Sequence, residues 1–84
     1  MNNFIRQYLN YKINNLQVNE LLDYARQYQV PVTRSQALKI IKVLRREKID
    51  IGNEIQRERI VKQILKESGA DIKIILEKLL KQYK

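Results

Sequence analysis

The sequence predicts an all-α protein, a compact bundle of four or five short helices around a single core, filling one domain over residues 1–84. Three observations carry this expectation. Two glycines and one proline punctuate 84 residues, too few for the many tight turns of a β fold. Apolar residues recur at i, i+3, i+4 and i+7, the period of a helix with one buried face. Residue types that start and stop helices stand at the breaks between those stripes.

Helix one is predicted from about Asn3 to Asn14, with Ile5, Tyr8, Leu9 and Ile13 on one face and the Asn14-Asn15 pair ending it. Helix two runs from about Val18 to Tyr28. Its stripe is Leu21, Leu22, Ala25 and Tyr28, its cap Gln17 or Asn19, and Glu20 favours the dipole in its first turn. Gln29-Val30-Pro31-Val32 is expected to be extended. Pro31 has no N–H and pushes Val30 out of the α region, so Val30 and Val32 can both plug the core. Thr33-Arg34-Ser35-Gln36 matches a capping box, in which hydroxyl and amide satisfy unpaired N–H groups reciprocally. Helix three follows to about Arg46 with Ala37, Ile40, Ile41 and Leu44 inward. The segment 47–52 reads as a loop anchored by Ile49 and Ile51. Asn53 caps helix four, with Gln56 three residues on; its stripe is Ile60, Val61, Ile64 and Leu65, and Gly69 stands where a left-handed residue ends a helix. Asp71 caps helix five, whose apolar face is Ile72, Ile75, Leu76, Leu79, Leu80 and Tyr83.

Composition narrows the function. The chain has no cysteine, so no disulfide or thiolate metal site is expected, and no histidine, the commonest general base and metal ligand. Ser35, Ser68 and Thr33 lack a histidine partner for nucleophilic chemistry, Gly52 and Gly69 are isolated and build no phosphate loop, and Glu54 with Glu58 lacks the support a carboxylate pair needs. The expectation is a protein that is not an enzyme and uses no metal or other cofactor. No stretch approaches the roughly 18 apolar residues of a membrane span, and the N-terminal residues do not read as a secretory signal, so the expected location is the cytoplasm.

Charge gives the expectation of a partner. Seventeen Lys and Arg against nine Asp and Glu leave +8, of which residues 1–33 carry +1 and residues 34–84 carry +7. On helix three, Lys39, Lys42, Arg45 and Arg46 fall on the side away from the apolar stripe, Arg34 and Lys48 flank them, and Glu47 is the one acid between residues 34 and 48. Arg34, Lys39, Lys42, Arg45 and Arg46 are therefore the candidate nucleic-acid-binding residues, a phosphate-contacting surface for DNA or RNA. The plainer reading is a solvated helix face. Helix four adds Arg59, Lys62 and Lys66, with Glu58 placed to pair with Lys62 at i, i+4. Tyr8, Tyr11, Tyr24, Tyr28 and Tyr83 could stack bases or cap the core. Helix five could lie on a membrane surface or a partner helix, or simply complete the core. The alternative function is a protein–protein interaction adaptor or a homodimer, so that the partner is another protein or the chain itself.

The stretch Asn19-Glu20-Leu21-Leu22-Asp23-Tyr24-Ala25-Arg26-Gln27-Tyr28-Gln29-Val30-Pro31-Val32-Thr33, continuing through Gln36-Ala37 to Val43-Leu44-Arg45-Arg46, resembles the YqfT-like family of small uncharacterised helical proteins of Firmicutes. The resemblance covers most of the chain, fades toward the C-terminus, and implies no activity. Residues 19–46 also resemble the helix–extended loop–helix unit of SAP and LEM domains. That likeness implies DNA contacts by Thr33, Arg34 and Lys39, although the glycine-plus-lysine signature of SAP modules is absent from Val32-Thr33-Arg34-Ser35.

Overall fold

A computed structural model of the chain describes residues 2–82 and holds five helices and no strand among them: α1 (Asn3–Asn14), α2 (Val18–Gln27), α3 (Arg34–Leu44), α4 (Glu54–Ser68) and α5 (Lys73–Gln82). Tyr83 lies outside the described residues. One continuous core joins all five helices and the loops between them. Leu21, Ile40, Leu44, Ile51, Ile64 and Ile72 are its largest fully buried side chains.

Four of the five helices begin on the signal expected of them, and α1 begins on a cap the sequence analysis did not name. Asn2 caps α1 by accepting from the Ile5 N–H at 2.9 Å. At α2 the cap is Gln17, whose backbone N–H donates to the Glu20 carboxylate at 3.0 Å. The Thr33 box forms in both directions: Gln36 N–H donates to Thr33 Oγ1 at 3.1 Å, and Thr33 N–H donates to Gln36 Oε1 at 2.9 Å. Asn53 caps α4 and Asp71 caps α5. Gly69 ends α4 at φ 77°, in the left-handed region where a glycine carries no Cβ penalty.

Four expectations are corrected. Tyr8 does not join the core; it is half exposed, while Leu9 and Ile13 fill that face and Leu16 adds a buried side chain just past the helix. Ile41 is only partly buried, while Val43 is buried. Leu65 is half exposed, since Ile60, Ile64 and the Ser68 hydroxyl occupy the buried side of α4. The fourth correction concerns the residue after Tyr28. Gln29 is not extended but left-handed at φ 59°. Its N–H donates to the Arg26 carbonyl at 3.2 Å and the Val30 N–H donates to the Ala25 carbonyl at 2.8 Å. This double closure ends α2 and drops Val30 into the core, leaving Val32 half-buried.

α3 and α4 run antiparallel. Gln36, at the start of α3, donates to the Ser68 carbonyl at the end of α4, while Glu47, just past α3, meets Gln56 and Arg59 in the first half of α4. The loop between them is held by α1. Asn14 donates to the Ile49 carbonyl at 2.9 Å and accepts from the Ile49 N–H at 2.8 Å. One turn earlier, Asn10 accepts from the Ile51 N–H at 2.7 Å and donates to Asp50 at 3.2 Å. The two side-chain amides thus supply the backbone partners that a neighbouring strand would, and Ile49 and Ile51 are buried between them. Asn14, read from sequence as a helix breaker, is the last residue of α1 and a clamp on this loop.

Candidate nucleic-acid interface

The five candidate residues follow from α3, whose buried face is Ala37, Ile40, Val43 and Leu44. Helical geometry puts Lys39, Lys42 and Arg46, at i, i+3 and i+7, on the opposite side. The structure brings these three onto one exposed surface but divides the five by role. Arg45 reaches across to α1, where its guanidinium donates to the Asn14 carbonyl at 2.7 Å and to the Leu16 carbonyl at 2.6 Å, capping that helix end. Arg46 forms a two-pronged ion pair with Glu67 of α4, both contacts at 2.6 Å. Arg34 donates to the Asn19 side chain at 2.8 Å, tying α3 to the start of α2. Among the described residues, Lys39 and Lys42 find no side-chain hydrogen-bond or ion-pair partner.

The division extends through the chain. All seven arginines are engaged with other groups of the protein. Beyond the three on α3, Arg6 pairs with Asp50, Arg26 with Asp23 and Arg59 with Glu47, and Arg57 donates to the Ile51 carbonyl at 2.6 Å. Among the described lysines, Lys12 and Lys73 form ion pairs, with Glu20 at 3.4 Å and with Glu77 at 4.0 Å. Lys39, Lys42, Lys48, Lys62, Lys66, Lys78 and Lys81 do not. A planar guanidinium can hold two acceptors at fixed angles, which suits it to joining elements; an ammonium on a flexible stem stays hydrated.

Acids respond to the same contacts. The Arg46 hydrogen bonds, reinforced by Gln63, draw the Glu67 carboxyl down to about 2 from an ordinary 4.5. Arg59 and Gln56 lower Glu47. Arg6, then Asn10 and the Gly52 N–H, hold Asp50 well below the carboxylate range. Arg6 crosses close over Gly52: a Cβ there would lie 2.5 Å from Arg6 Nε and would push the guanidinium aside. The Glu58–Lys62 pair expected on α4 does not form. Glu54 and Glu58 make no ion pair among the described residues and sit near the positive end of the α4 dipole; Lys62 lines a groove with them and with Asp71 and Glu77, and Lys66 helps to lower the Glu67 carboxyl.

Tyr24 and Tyr28 stack on one another with ring centres 6.4 Å apart and pack, half-buried, against the core. Phe4, which the sequence reading passed over, is 85% exposed and shares a face of α1 with Tyr8 and Tyr11. The i, i+4, i+7 spacing of the three was the signal that could have separated them from the core stripe. No group of three or more Asp or Glu among the described residues could hold a metal ion, and no helix among them is long and apolar enough to cross a membrane.

Comparison with known proteins places these features in a family. Residues 1–84 match the profile of a family described as "Protein of unknown function (DUF2624)", so the likeness extends through the C-terminus. The uncharacterized protein YqfT of Bacillus subtilis (strain 168) is 31% identical over 72 residues, which cover 86% of each chain. No solved structure matches the chain.

Proposed function

The chain belongs to the DUF2624 family, and we propose that it is a non-catalytic module that binds the phosphate backbone of DNA or RNA through the lysines on the outer surface of α3 and α4. The observation that carries this reading is the split between the two cation types. The arginines are held by carboxylates and carbonyls, whereas Lys39, Lys42, Lys62 and Lys66 sit on adjoining helices with no acceptor, in a protein of net charge +8. Lysines of this kind read charge and not bases, because they lack the fixed fork that recognises a base edge. The expected binding is therefore indifferent to sequence.

Of the five residues read from sequence, Lys39 and Lys42 are the ones offered to the ligand. Arg34, Arg45 and Arg46 hold the surface in place. The test is titration of duplex DNA and single-stranded RNA at several salt concentrations. Four phosphate contacts give a log–log salt slope of about −3.6 on duplex DNA. Lys39→Glu with Lys42→Glu is expected to abolish binding near physiological salt while the melting temperature is kept. Arg46→Glu does not serve, since it would set two carboxylates against each other at Glu67 and disturb the fold. No measurable binding near physiological salt, or binding that survives the double reversal, would refute the reading.

A further inference from the structure

One turn beyond Lys42, Arg45 lines a cleft of about 620 Å³ between α1 and the segment 44–48, a size that accepts a small ring-bearing ligand. Part of its wall is already committed. Asn10 and Asn14 bind the backbone of Ile49 and Ile51, and the Asn15 amide donates to the Tyr11 carbonyl at 2.9 Å. Three other groups on the wall are not. The Gln7 amide, the Tyr11 ring with its hydroxyl, and the Lys48 ammonium find no side-chain partner among the described residues. Tyr11 is 67% exposed and stands one turn from Gln7 on α1.

The charge of the cleft is positive. Arg45 donates to two backbone carbonyls and to no carboxylate of the described residues, so its charge is not cancelled, and its guanidinium has N–H donors to spare. Lys48 is a second cation. The acid on this wall, Glu47, is paired with Arg59 and accepts from Gln56, and these contacts lower its carboxyl. An anion entering the cleft therefore meets two cations and a carboxylate already balanced by an arginine.

An exposed ring, two cations and an uncommitted amide side by side suit one class of ligand. A nucleotide unit brings a flat base for the ring, a phosphate for the cations and a hydrogen-bonding edge for the amide. A duplex keeps its bases stacked and paired inside, whereas a single strand can splay one out.

We infer that this cleft takes one nucleotide of single-stranded nucleic acid, its base against the Tyr11 ring and its phosphate at Lys48 and Arg45. The site rests on the reading of Lys39 and Lys42 as phosphate contacts and adds a base contact that a duplex cannot make. Lys42 and Arg45 are neighbours at i, i+3 on α3, so a strand held by Lys42 reaches the cleft within one turn. Every base has a flat face, so the contact selects strandedness and not sequence.

The test is titration of the full chain with oligothymidylate of about 12 nucleotides, an abasic strand of equal length, and a mixed-sequence duplex, near physiological salt. The abasic strand keeps the phosphates and loses every base. The wild-type protein is expected to bind oligothymidylate about tenfold more tightly than the abasic strand. Tyr11→Ala should erase that advantage and leave abasic and duplex binding unchanged, while Tyr11→Phe should keep it. Lys48→Gln should make the log–log salt slope shallower by about 0.7 on the single strand and leave the duplex slope alone. Both side chains are exposed, so the melting temperature should be kept, and the wild-type comparison of the two strands needs no variant. Equal affinity of the wild type for thymidylate and abasic strands overturns the inference, as does an advantage that survives Tyr11→Ala. Thymidine monophosphate competing as tightly as the strand would assign the cleft to a free nucleotide and overturn it too. If the duplex is still bound through Lys39 and Lys42, such results remove the cleft alone; a protein that binds neither strand nor duplex loses both readings.

Discussion

The α1 helix with its clasped 49–51 loop and the outer surface of α3 and α4 draw on the same residue types and use them in opposite ways. Along the buried side of α1, polar groups are consumed. Asn10 and Asn14 bind the loop backbone, Arg6 neutralises Asp50, and Arg45 caps the helix end. On α3 and α4, by contrast, lysines are left over, and the charged pairs at that seam, Arg46 with Glu67 and Arg59 with Glu47, cancel themselves. The comparison teaches that a cation's role is read from what surrounds it. Lys42 and Arg45 lie three residues apart on one helix and are equivalent on a helical wheel of polar positions, yet one is solvated and the other joins two helices.

The comparison can be broken at the side chain beneath both regions. Leu44 is buried in α3 and lies beside Asn10 and Asn14. Leu44→Ala is expected to cost about 2–5 kcal/mol by denaturant unfolding, enough to endanger so small a domain. A melting temperature equal to wild type would mean that the two regions do not share a core.

Removing the clamp alone should cost less. Asn14→Ala strips both partners from the Ile49 backbone, at about 1–3 kcal/mol, and amide hydrogen exchange should accelerate at Ile49 and Ile51 before it does in α4. Uniform acceleration would show that the loop is held by Ile49 and Ile51 burial and not by the amides.

Smaller again is the contrast on α3 itself. Arg45→Ala is expected to destabilise by about 1–2 kcal/mol through the uncapped carbonyls of Asn14 and Leu16. Lys42→Ala should stay within about 0.5 kcal/mol of wild type. Equal effects would erase the distinction between engaged arginines and free lysines.

The smallest effect is acid sensitivity. The Glu67 carboxyl sits near about 2 in the folded protein against an ordinary 4.5, and Asp50 is shifted in the same direction. Stability from a depressed carboxylate is complete above its unfolded value and is lost as protons bind, so it should hold from neutrality to about pH 5 and decline toward pH 2. Both pairs are solvated, so each contributes little. Glu67→Gln and Asp50→Asn should each flatten the fall in melting temperature below pH 5. An unaltered acid profile in both would mean that neither pair contributes.

Most of the fold was legible in the sequence because its signals are local. A hydroxyl at Thr33 and an amide at Gln36 meet across one turn, so the box can be recognised without any tertiary knowledge, and the same holds for Asn53, Gly69 and Asp71. The finer assignment of α1 failed at Tyr8, because two apolar stripes on one short helix merge when only spacing is considered. Gln29 was missed because the usual mark of a left-handed helix end is glycine, and here a glutamine takes that conformation to deliver Val30 to the core.

The sequence by itself determined the all-helical class, the starting points of α2 to α5 and the excess of positive charge in residues 34–84, since each rests on composition or on neighbours within one turn. Tertiary structure alone decided which of those charges are free. The partners of Arg6, Arg45 and Arg46 lie 44, 31 and 21 positions away, and no periodicity reaches across such separations. A guanidinium becomes a joint or a ligand contact only when the packing of helices sets an acceptor within its reach. The same packing left Lys39 and Lys42 facing water, and turned Phe4, Tyr8 and Tyr11 outward because Leu9 and Ile13 had already filled the core beneath α1.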